Sequence, residues 1–494
     1  MNLHKNLLLC IGILFFLFPF FLISGSFLPD LFISLLSIIA LIFFLKDIII
    51  SNYQRYIFIF LVSFYIYINF NSIISDFSAI SFKTSIPYIR YIIFAFFFAY
   101  LLKSLNSLKK IIFVSFLISY LFLFSDSIYQ IIFGYNITGN PLLENRSSSF
   151  FGSKLVMGSY VARTLPIIIG ISFVVKYKNP KFVRFLIFSI CGSLVFFSGE
   201  RLSLIYYLIT LLIYCFIDYD KKDFFKIFFI IFLFLTVLFF VKPNSGKRFL
   251  FHTLSQFKEN GVYSVFSYRH QLHFMTAYNM YKDQKLFGHG LKSFRNLCDK
   301  EKYAPIEKIL KDNKIFSPIE GYLFIKHNLL LITKNNILPK KIEDSSQNSI
   351  LGNLSEFKEE IYVIRLIGGT QFIYKKEGDY IKKGEAILSL YEFKNGCNTH
   401  PHNIHLEFLS ELGSFGYLFL LFAVLFVFCN IALIILKRKK FIKKRKNNFF
   451  FLFILLGLAN SLFPFFPSGS FFNNWLSVIF YFNLGLLIYF YKKL

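Results

Sequence analysis

The amino-acid sequence predicts an all-α polytopic membrane protein with about twelve transmembrane helices and one large polar loop that contains a small inserted β domain. Hydrophobic residues make up 56% of the 494 residues, whereas ordinary soluble domains contain roughly 45–50%. The apolar residues form runs of about 20 residues, the length that a helix needs to cross a bilayer. A polar segment, 242–411, separates the first nine runs from the last three.

Each apolar run is a candidate span. The first follows the basic segment 1–5, as in a signal peptide, but no small-x-small cleavage site comes after it, so we expect an uncleaved span. The spans divide the chain into transmembrane helices 1–9 within 1–241 and helices 10–12 within 412–494. They lie near 6–24, 28–45, 56–74, 87–103, 110–126, 157–175, 183–198, 202–217, 224–241, 412–436, 449–466 and 473–491.

The formal charge of +27 is distributed unevenly along the chain. Lys and Arg collect in alternate connections between the apolar runs, for example at 103–110, 176–184 and 437–446. Because cytoplasmic loops carry an excess of basic residues, this pattern predicts a cytoplasmic N-terminus and a polar segment on the outer side. We therefore expect the charge to face membrane lipids, and we expect no nucleic acid partner.

The polar segment is predicted to contain three parts. Residues 242–304 form a helical part of the loop, and 397–411 form a histidine-rich motif. Residues 305–396 form the inserted β domain, because short β-rich stretches alternate there with Gly, Pro and Asn turns. Cys298 precedes this insert and Cys397 follows it, so we expect a disulfide at its base in an oxidising periplasm.

The insert carries a resemblance of its own. Residues 317–321 and 377–385 are similar to the two halves of a barrel-sandwich hybrid, the shape of biotinyl and lipoyl carriers. Lys394 stands near the place of a carrier lysine, although its flanking residues depart from the carrier pattern. Since such a group is attached in the cytoplasm, we expect a structural or binding module and no cofactor.

The sharpest local motif follows the insert. A His-Asn pair, nine residues and Gly-x-x-Gly resemble the signature of the O-antigen ligase and O-antigen polymerase family, lipid-linked glycan transferases of the bacterial inner membrane. The matching positions are His402, Asn403, Gly413 and Gly416. Two further segments are similar to this family: Ser-Gly-Glu-Arg at 198–201, at the outer end of a span, and Ser-Tyr-Arg at 267–269 followed by Gly-His-Gly at 288–290.

The resemblance implies a GT-C-like fold and a metal-independent, inverting glycosyl transfer on the periplasmic face. A hydroxyl of a lipid A-core or other glycan acceptor attacks the anomeric carbon of a glycan carried on undecaprenyl diphosphate. Arg201 and Arg269 match the positions that neutralise the diphosphate, which guanidinium groups bind bidentately. His402 is the expected general base, because imidazole accepts protons near neutral pH.

Five further residues are expected to bind substrate, and the alternatives remain open. These residues are Arg146, Arg163, His400, Asn403 and His289. Arg201 is alternatively paired with Glu200 or a lipid headgroup, and Arg146 is alternatively a solvated loop residue. His402 alternatively packs the start of the next helix, or binds a metal ion with His405, His400 and Glu407. We expect no metal, because the first outer loop lacks the paired carboxylates that many metal-dependent lipid-linked glycosyltransferases carry.

Other functions also fit a protein of this layout. Within the same family, the chain is alternatively an O-antigen polymerase or a protein O-oligosaccharyltransferase, which differ from a ligase in their acceptor. A lipid-glycan transporter or flippase also has about a dozen spans, but it is expected to carry charged residues midway through several of them. A non-catalytic assembly protein would use the insert to bind a partner and the helices as an anchor.

Overall fold

The structure is a computed structural model and is mostly helical. It describes residues 2–51, 55–143, 145–218, 266, 268–300, 302–303, 314–326, 329–336, 361–365, 371–390, 397–436 and 445–491. The helices are α1 Asn2–Leu14, α2 Phe18–Ser24, α3 Phe27–Phe43, α4 Leu45–Ser51, α5 Arg55–Ile74, α6 Ser78–Ser85, α7 Ile89–Ser104, α8 Leu108–Phe133, α9 Met157–Val174, α10 Pro180–Ser198, α11 Arg201–Asp218, α12 Tyr268–Asp283, α13 Phe294–Leu297, α14 Ile404–Glu407, α15 Gly413–Leu436, α16 Arg445–Leu462 and α17 Asn474–Tyr491.

Among the described residues, six helical segments are long and apolar enough to cross a membrane, or seven if the bent pair α1 and α2 forms one span. Four shorter apolar helices, α3, α11, α16 and α17, accompany them. These are the features of a helical membrane protein, in agreement with the predicted class. The count of about twelve spans stays a prediction, and the predicted span near 224–241 lies outside the described residues.

Local sequence signals explain where several helices begin and end. α10 begins at Pro180, whose fixed φ and missing N–H suit the first turn of a helix. It ends at Gly199, and α8 ends at Gly134, both in the left-handed conformation that glycine adopts without a steric cost. Because Gly199 ends α10, a tight turn follows, and α11 begins after it at Arg201.

Helix α9 forms the centre of one half of the bundle. It is almost entirely buried and packs against α10, α11 and α16. A Cβ on Gly170 of α9 would lie 3.2 Å from the carbonyl oxygen of Phe450 on α16, so the glycine permits the close approach of these two helices. In the other half, α17 packs against α7 and α3.

Many helix ends meet at one end of the bundle, which we call the motif end. There Arg90, in the first turn of α7, pairs with Asp30 in the first turn of α3 at 2.8 Å. Asn474, at the start of α17, donates to the same carboxylate at 3.1 Å. The opposite end carries basic residues such as Lys109, which donates to Tyr489 at 3.1 Å. The orientation in a membrane stays a prediction.

The described residues between 314 and 390 form seven strands. A three-stranded sheet has the order β1-β7-β5 and a four-stranded sheet the order β4-β3-β2-β6, with antiparallel pairing throughout. The strands are β1 Lys314–Phe316, β2 Gly321–Lys326, β3 Leu329–Thr333, β4 Ile361–Arg365, β5 Gln371–Ile373, β6 Tyr380–Ile381 and β7 Ala386–Leu390. Both sheets contribute to one buried apolar cluster. The boundaries of a β domain and its barrel-sandwich-hybrid shape stay predictions, and Lys394 lies outside the described residues.

Candidate functional site

Two segments that are far apart in sequence join at the motif end, and we call their contact the glycine junction. It comprises residues 285–290, which follow α12, and 410–415, which contain a π-helical turn at Phe408–Leu412 and the start of α15. Four backbone N–H groups donate across it: His289 to Ser410 at 3.1 Å, Gly290 to Glu411 at 2.8 Å, Ser414 to Lys285 at 2.8 Å and Phe415 to Leu286 at 3.2 Å.

The glycines in these segments permit this contact. Gly288 has φ +67° and Gly413 has φ +66°, values that favour glycine. A Cβ on Gly288 would lie 2.6 Å from the backbone nitrogen of Gly413, and a Cβ on Gly413 would clash with the carbonyl of Leu286. Gly416 makes room for Tyr67 of α5, whose ring a Cβ would meet at 2.9 Å. The Gly-x-x-Gly and Gly-His-Gly motifs therefore form one packing unit.

Replacing Gly288 by Ala is expected to lower the free energy of unfolding by about 3 kcal/mol or more, because the new Cβ meets backbone that cannot move aside. Gly134→Ala is the matched control. Its φ is also positive, at +82°, but nothing lies within 4 Å of the added Cβ. Gly134→Ala should therefore lower the free energy of unfolding by only about 1 kcal/mol. Thermal unfolding of the purified variants measures the difference, and equal melting temperatures would contradict the role assigned to the junction.

His402, in the His-Asn motif, has a strained backbone conformation. Its φ is +55°, which a non-glycine residue rarely adopts. The carbonyl of His402 accepts the N–H of Ser468 at 2.7 Å, and its Nε2 accepts the side-chain amide of Asn398 at 3.0 Å. These contacts hold the residue in place, and strain of this kind is concentrated at functional sites.

Three other imidazoles surround that of His402. The ring centroids of His400, His273 and His270 lie 4.2, 5.1 and 5.5 Å from its centroid. His270 and His273 lie one helical turn apart on α12. This histidine cluster therefore connects the His-Asn motif to the helix that precedes the Gly-His-Gly turn.

His400 is a neutral member of the cluster. Its Nδ1 is 3.0 Å from the hydroxyl of Thr399, and its buried Nε2 has no hydrogen-bond partner among the described residues. Burial lowers the pKa of His400 to about 4, and the nearby His273 acts in the same direction. The imidazole is thus uncharged at neutral pH.

Asn403 and His405 support the local backbone. The Asn403 side chain caps α14 by accepting the N–H groups of His405 and Leu406 at 2.9 and 3.1 Å, and its amide donates to the Pro464 carbonyl at 2.9 Å. The ring nitrogens of His405 lie 3.2 Å from the Tyr417 hydroxyl and 3.0 Å from a backbone carbonyl. The predicted substrate-binding role of Asn403 stays a prediction beside this capping role.

A second group at the motif end contains three of the predicted site residues, Arg146, Arg163 and Arg201. Arg146 donates from Nε to the Ser198 carbonyl at 2.7 Å. Glu200 accepts the Gly158 N–H at 2.9 Å and the Ser203 hydroxyl at 3.1 Å. Burial raises the pKa of Glu200, whereas the positive charge of Arg146 opposes that shift. The Glu200 carboxylate therefore joins the start of α9 to the 198–201 turn.

Arg163 and Arg201 belong to the same group. Arg163 lies in the second turn of α9, is 5% exposed and donates to Ser159, while its buried Nε has no hydrogen-bond partner among the described residues. Arg201 is half-buried as the first residue of α11. Both side chains lie near the turn that the sequence motif predicted.

A connection between α16 and α17 links the arginine group to the histidine cluster. The Tyr206 ring of α11 lies 6.5 Å from that of Phe463 and 6.0 Å from that of Phe466. The same connection supplies Pro464 and Ser468 to the His-Asn motif. Both groups therefore lie at the motif end.

Arg269 stands in the first turn of α12, directly before His270, and its side chain lies outside the described part of the chain.

His289 occupies a buried position beneath α12. It is 3% exposed, its Nε2 lies 3.1 Å from the Met280 carbonyl and 3.9 Å from a carboxylate oxygen of Asp283, and its ring packs edge-on against Tyr303. Burial lowers its pKa, so the ring is mostly neutral at neutral pH. These contacts stabilise the Gly-His-Gly turn, and the predicted contact with substrate stays a prediction.

A disulfide joins Cys298 to Cys397, the two cysteines predicted to pair at the base of the insert. Their Cα atoms are 4.8 Å apart across a sequence separation of 99 residues. Cys298 directly follows α13, and Cys397 precedes Asn398, the partner of His402. The bond therefore attaches the histidine motif to the chain that follows α12.

Two buried carboxylates also contribute to the site, although the sequence motifs did not single out this role. Glu411 accepts backbone N–H groups of Lys292 at 2.8 Å and Phe294 at 3.3 Å, and Glu407 accepts that of Phe471 at 2.8 Å. Their spacing of four residues beside a Gly-x-x-Gly was the available signal. Among the described residues, no group of His, Cys, Asp or Glu is arranged to hold a metal ion.

Comparisons of this chain with protein families, with curated proteins and with solved structures find no match.

Proposed function

We propose that the protein is an O-antigen ligase-like glycosyltransferase, which moves a glycan from undecaprenyl diphosphate to a hydroxyl of a lipid A-core acceptor. One observation carries the proposal. The imidazole of His402 packs against His270 and His273 on α12, the helix that carries Arg269 in its first turn. The strained histidine thus contacts a helix that lies more than 100 residues away in sequence and that carries a motif arginine.

The proposed step needs a base and a set of cations. His402 Nε2 accepts a hydrogen bond from Asn398, so Nε2 carries the lone pair and the ring proton resides on Nδ1. In the reaction the acceptor hydroxyl takes the place of the Asn398 amide and gives its proton to Nε2. Its oxygen attacks the anomeric carbon from the face opposite the diphosphate, and the bond to the diphosphate oxygen breaks. His402 ends as an imidazolium.

The leaving group carries negative charge that must be stabilised. Guanidinium groups stay charged at all relevant pH values and bind two phosphate oxygens at once. Arg201 and Arg269 are the proposed ligands of the diphosphate, and half-buried Arg201 lies where a desolvated charge interacts strongly. No metal ion takes part in this scheme, because the guanidinium groups supply the charge.

The placement of buried ionisable residues favours an enzyme over a transporter. In the described spans, Asp126, Arg163 and Glu411 are buried on the motif-end side of their helices, and Arg184 is buried near the opposite end of α10. A transporter is expected to carry such residues near the bilayer midplane, where the substrate crosses. We accordingly propose that the motif end faces the periplasm of a bacterial inner membrane.

A reconstituted transfer assay tests the proposal. Purified protein is mixed with a polyprenyl diphosphate glycan and lipid A-core acceptor, with and without EDTA, and the glycosylated acceptor is measured by mass spectrometry. We expect product of inverted anomeric configuration at equal rates in both conditions. A protein that yields no product with this acceptor, or only with added divalent metal, would overturn the ligase proposal. Extension of a second lipid-linked glycan would instead indicate a polymerase.

A further inference from the structure

A groove between α5 and α15 lies outside the proposed catalytic site. It encloses about 620 Å³, within the range of roughly 300–1,000 Å³ that is usual for ligand sites. Its walls run from Tyr56 to Phe70 on α5 and from Phe415 to Phe422 on α15, and Phe287 closes one end. The lining is almost entirely aromatic and aliphatic.

The sequence explains why these helices leave a hollow. The lining residues of α5 recur every three or four positions, so they form one face of the helix. In the middle of that face stands Ser63, a small residue between Phe60 and Tyr67. On the facing helix, Phe419 contacts the rings of Phe60 and Tyr67 at 5.7 and 5.6 Å and forms the floor.

The groove opens towards the surroundings of the bundle. Of the six spans, those containing α5 and α15 are the least buried, at 28% and 22%, against 50–89% for the others. Its walls remain exposed, with Tyr56 at 87% and Phe422 at 61%. Because both helices are apolar enough to cross a membrane, the open side of the groove faces hydrocarbon. A hydrocarbon tail is therefore the chemistry that fits it.

Cations stand at the end of the groove that meets the glycine junction. Lys285 is exposed two residues before Phe287, and Lys282 is exposed at the end of α12. The adjacent Asp283 is already paired with Lys302 and Tyr303. Asp76, just after α5, is a second carboxylate at this junction. With Lys282, Lys285 and Lys302 against Asp76 and Asp283, the rim keeps a net positive charge, which suits a phosphate group at the membrane surface.

We propose that the groove binds one hydrocarbon tail of an anionic lipid, with the lipid phosphate beside Lys285. A tail gains no hydrophobic free energy by leaving the bilayer for an apolar groove, so binding depends on close packing and on charge. The groove and the lysines make separate contributions to lipid binding. The shape around Ser63 holds the tail, and the lysines select an anionic headgroup.

Native mass spectrometry of the purified full-length protein tests the proposal, with phosphatidylglycerol and phosphatidylcholine of identical tails as probes. We expect one retained phosphatidylglycerol and at least about fivefold less phosphatidylcholine, since each cation near a membrane surface strengthens anionic lipid binding by about this factor. Ser63→Trp fills the groove and should reduce phosphatidylglycerol retention about tenfold. Ile66→Trp is the matched control on α5: this residue is 62% exposed but does not line the groove, and its substitution should leave retention unchanged.

A second variant tests the headgroup contact without altering a span. Lys285→Glu should remove the preference for phosphatidylglycerol, whereas Lys154→Glu, at another exposed lysine of the motif end, should preserve it. Equal retention of the two lipids by the unmodified protein would overturn the proposal. So would equal retention by the Ser63→Trp and Ile66→Trp variants, or an unchanged preference in Lys285→Glu.

Discussion

His402→Ala is expected to lower kcat for glycan transfer by about 10²–10⁴-fold, the contribution of a general base. The melting temperature should not fall, because the substitution removes no buried charge. The left-handed φ of +55° is unfavourable for any side chain, so His402→Gly should be at least as stable as the unmodified protein. The transfer assay combined with thermal unfolding measures both effects.

Added imidazole distinguishes a lost base from a lost structural contact. In His402→Gly the vacated space lies among the rings of His400, His273 and His270. Free imidazole that enters this space should restore part of the activity, and the rate should rise with the concentration of its neutral form. His405→Gly is the control: its ring nitrogens face Tyr417 and a carbonyl, so imidazole should not restore activity there. A His402→Gly protein with full activity would contradict the proposed base.

Removal of the disulfide by a Cys298→Ser and Cys397→Ser double substitution should destabilise the protein by roughly 4–5 kcal/mol. The loss follows from the chain entropy that a bond closing a loop of about 100 residues removes from the unfolded state. Transfer activity should fall as well, because Cys397 directly precedes Asn398, which holds His402. Thermal unfolding with and without a reductant measures the stability.

Two exposed cysteines supply the control for this measurement. Cys10 and Cys429 are free, so their double replacement by Ser should leave the melting temperature unchanged. A reductant should lower the melting temperature of the unmodified protein and of this control, but not that of the Cys298 and Cys397 variant. Equal effects of the reductant on all three proteins would show that the bond does not stabilise the fold.

The helices could be predicted from the sequence because one property, the hydropathy of consecutive residues, largely determines where they form. Runs of apolar residues place eleven of the twelve expected spans on described helices, within a few residues at most ends. Two details were not predictable from hydropathy. α1 and α2 bend by 43° within the first predicted span, and a π-helical turn precedes α15. Both details depend on how neighbouring segments pack against each other. Hydropathy summed over a window of residues carries no information about this packing.

The site was predictable only in part, for a similar reason. Motif spacing directed attention to His402 and to Gly413 and Gly288, and the two glycines contact each other. It did not predict the proximity of His270 and His273 to His402, since more than 100 residues separate them in the chain. Nor did it predict that Asn403 caps a helix, because capping depends on the backbone that follows. The residue types suggested which chemistry the site could perform. Which residues contact one another could be learned only from the folded structure.

The disulfide also brings two distant points of the chain side by side. The Cα atoms of the two cysteines are 4.8 Å apart, little more than the 3.8 Å between consecutive residues. A turn of a few amino acids could close such a gap, and so could a segment of any length whose ends lie side by side. Evolution can therefore exchange or lengthen the residues between the two cysteines without separating Cys298 from Cys397.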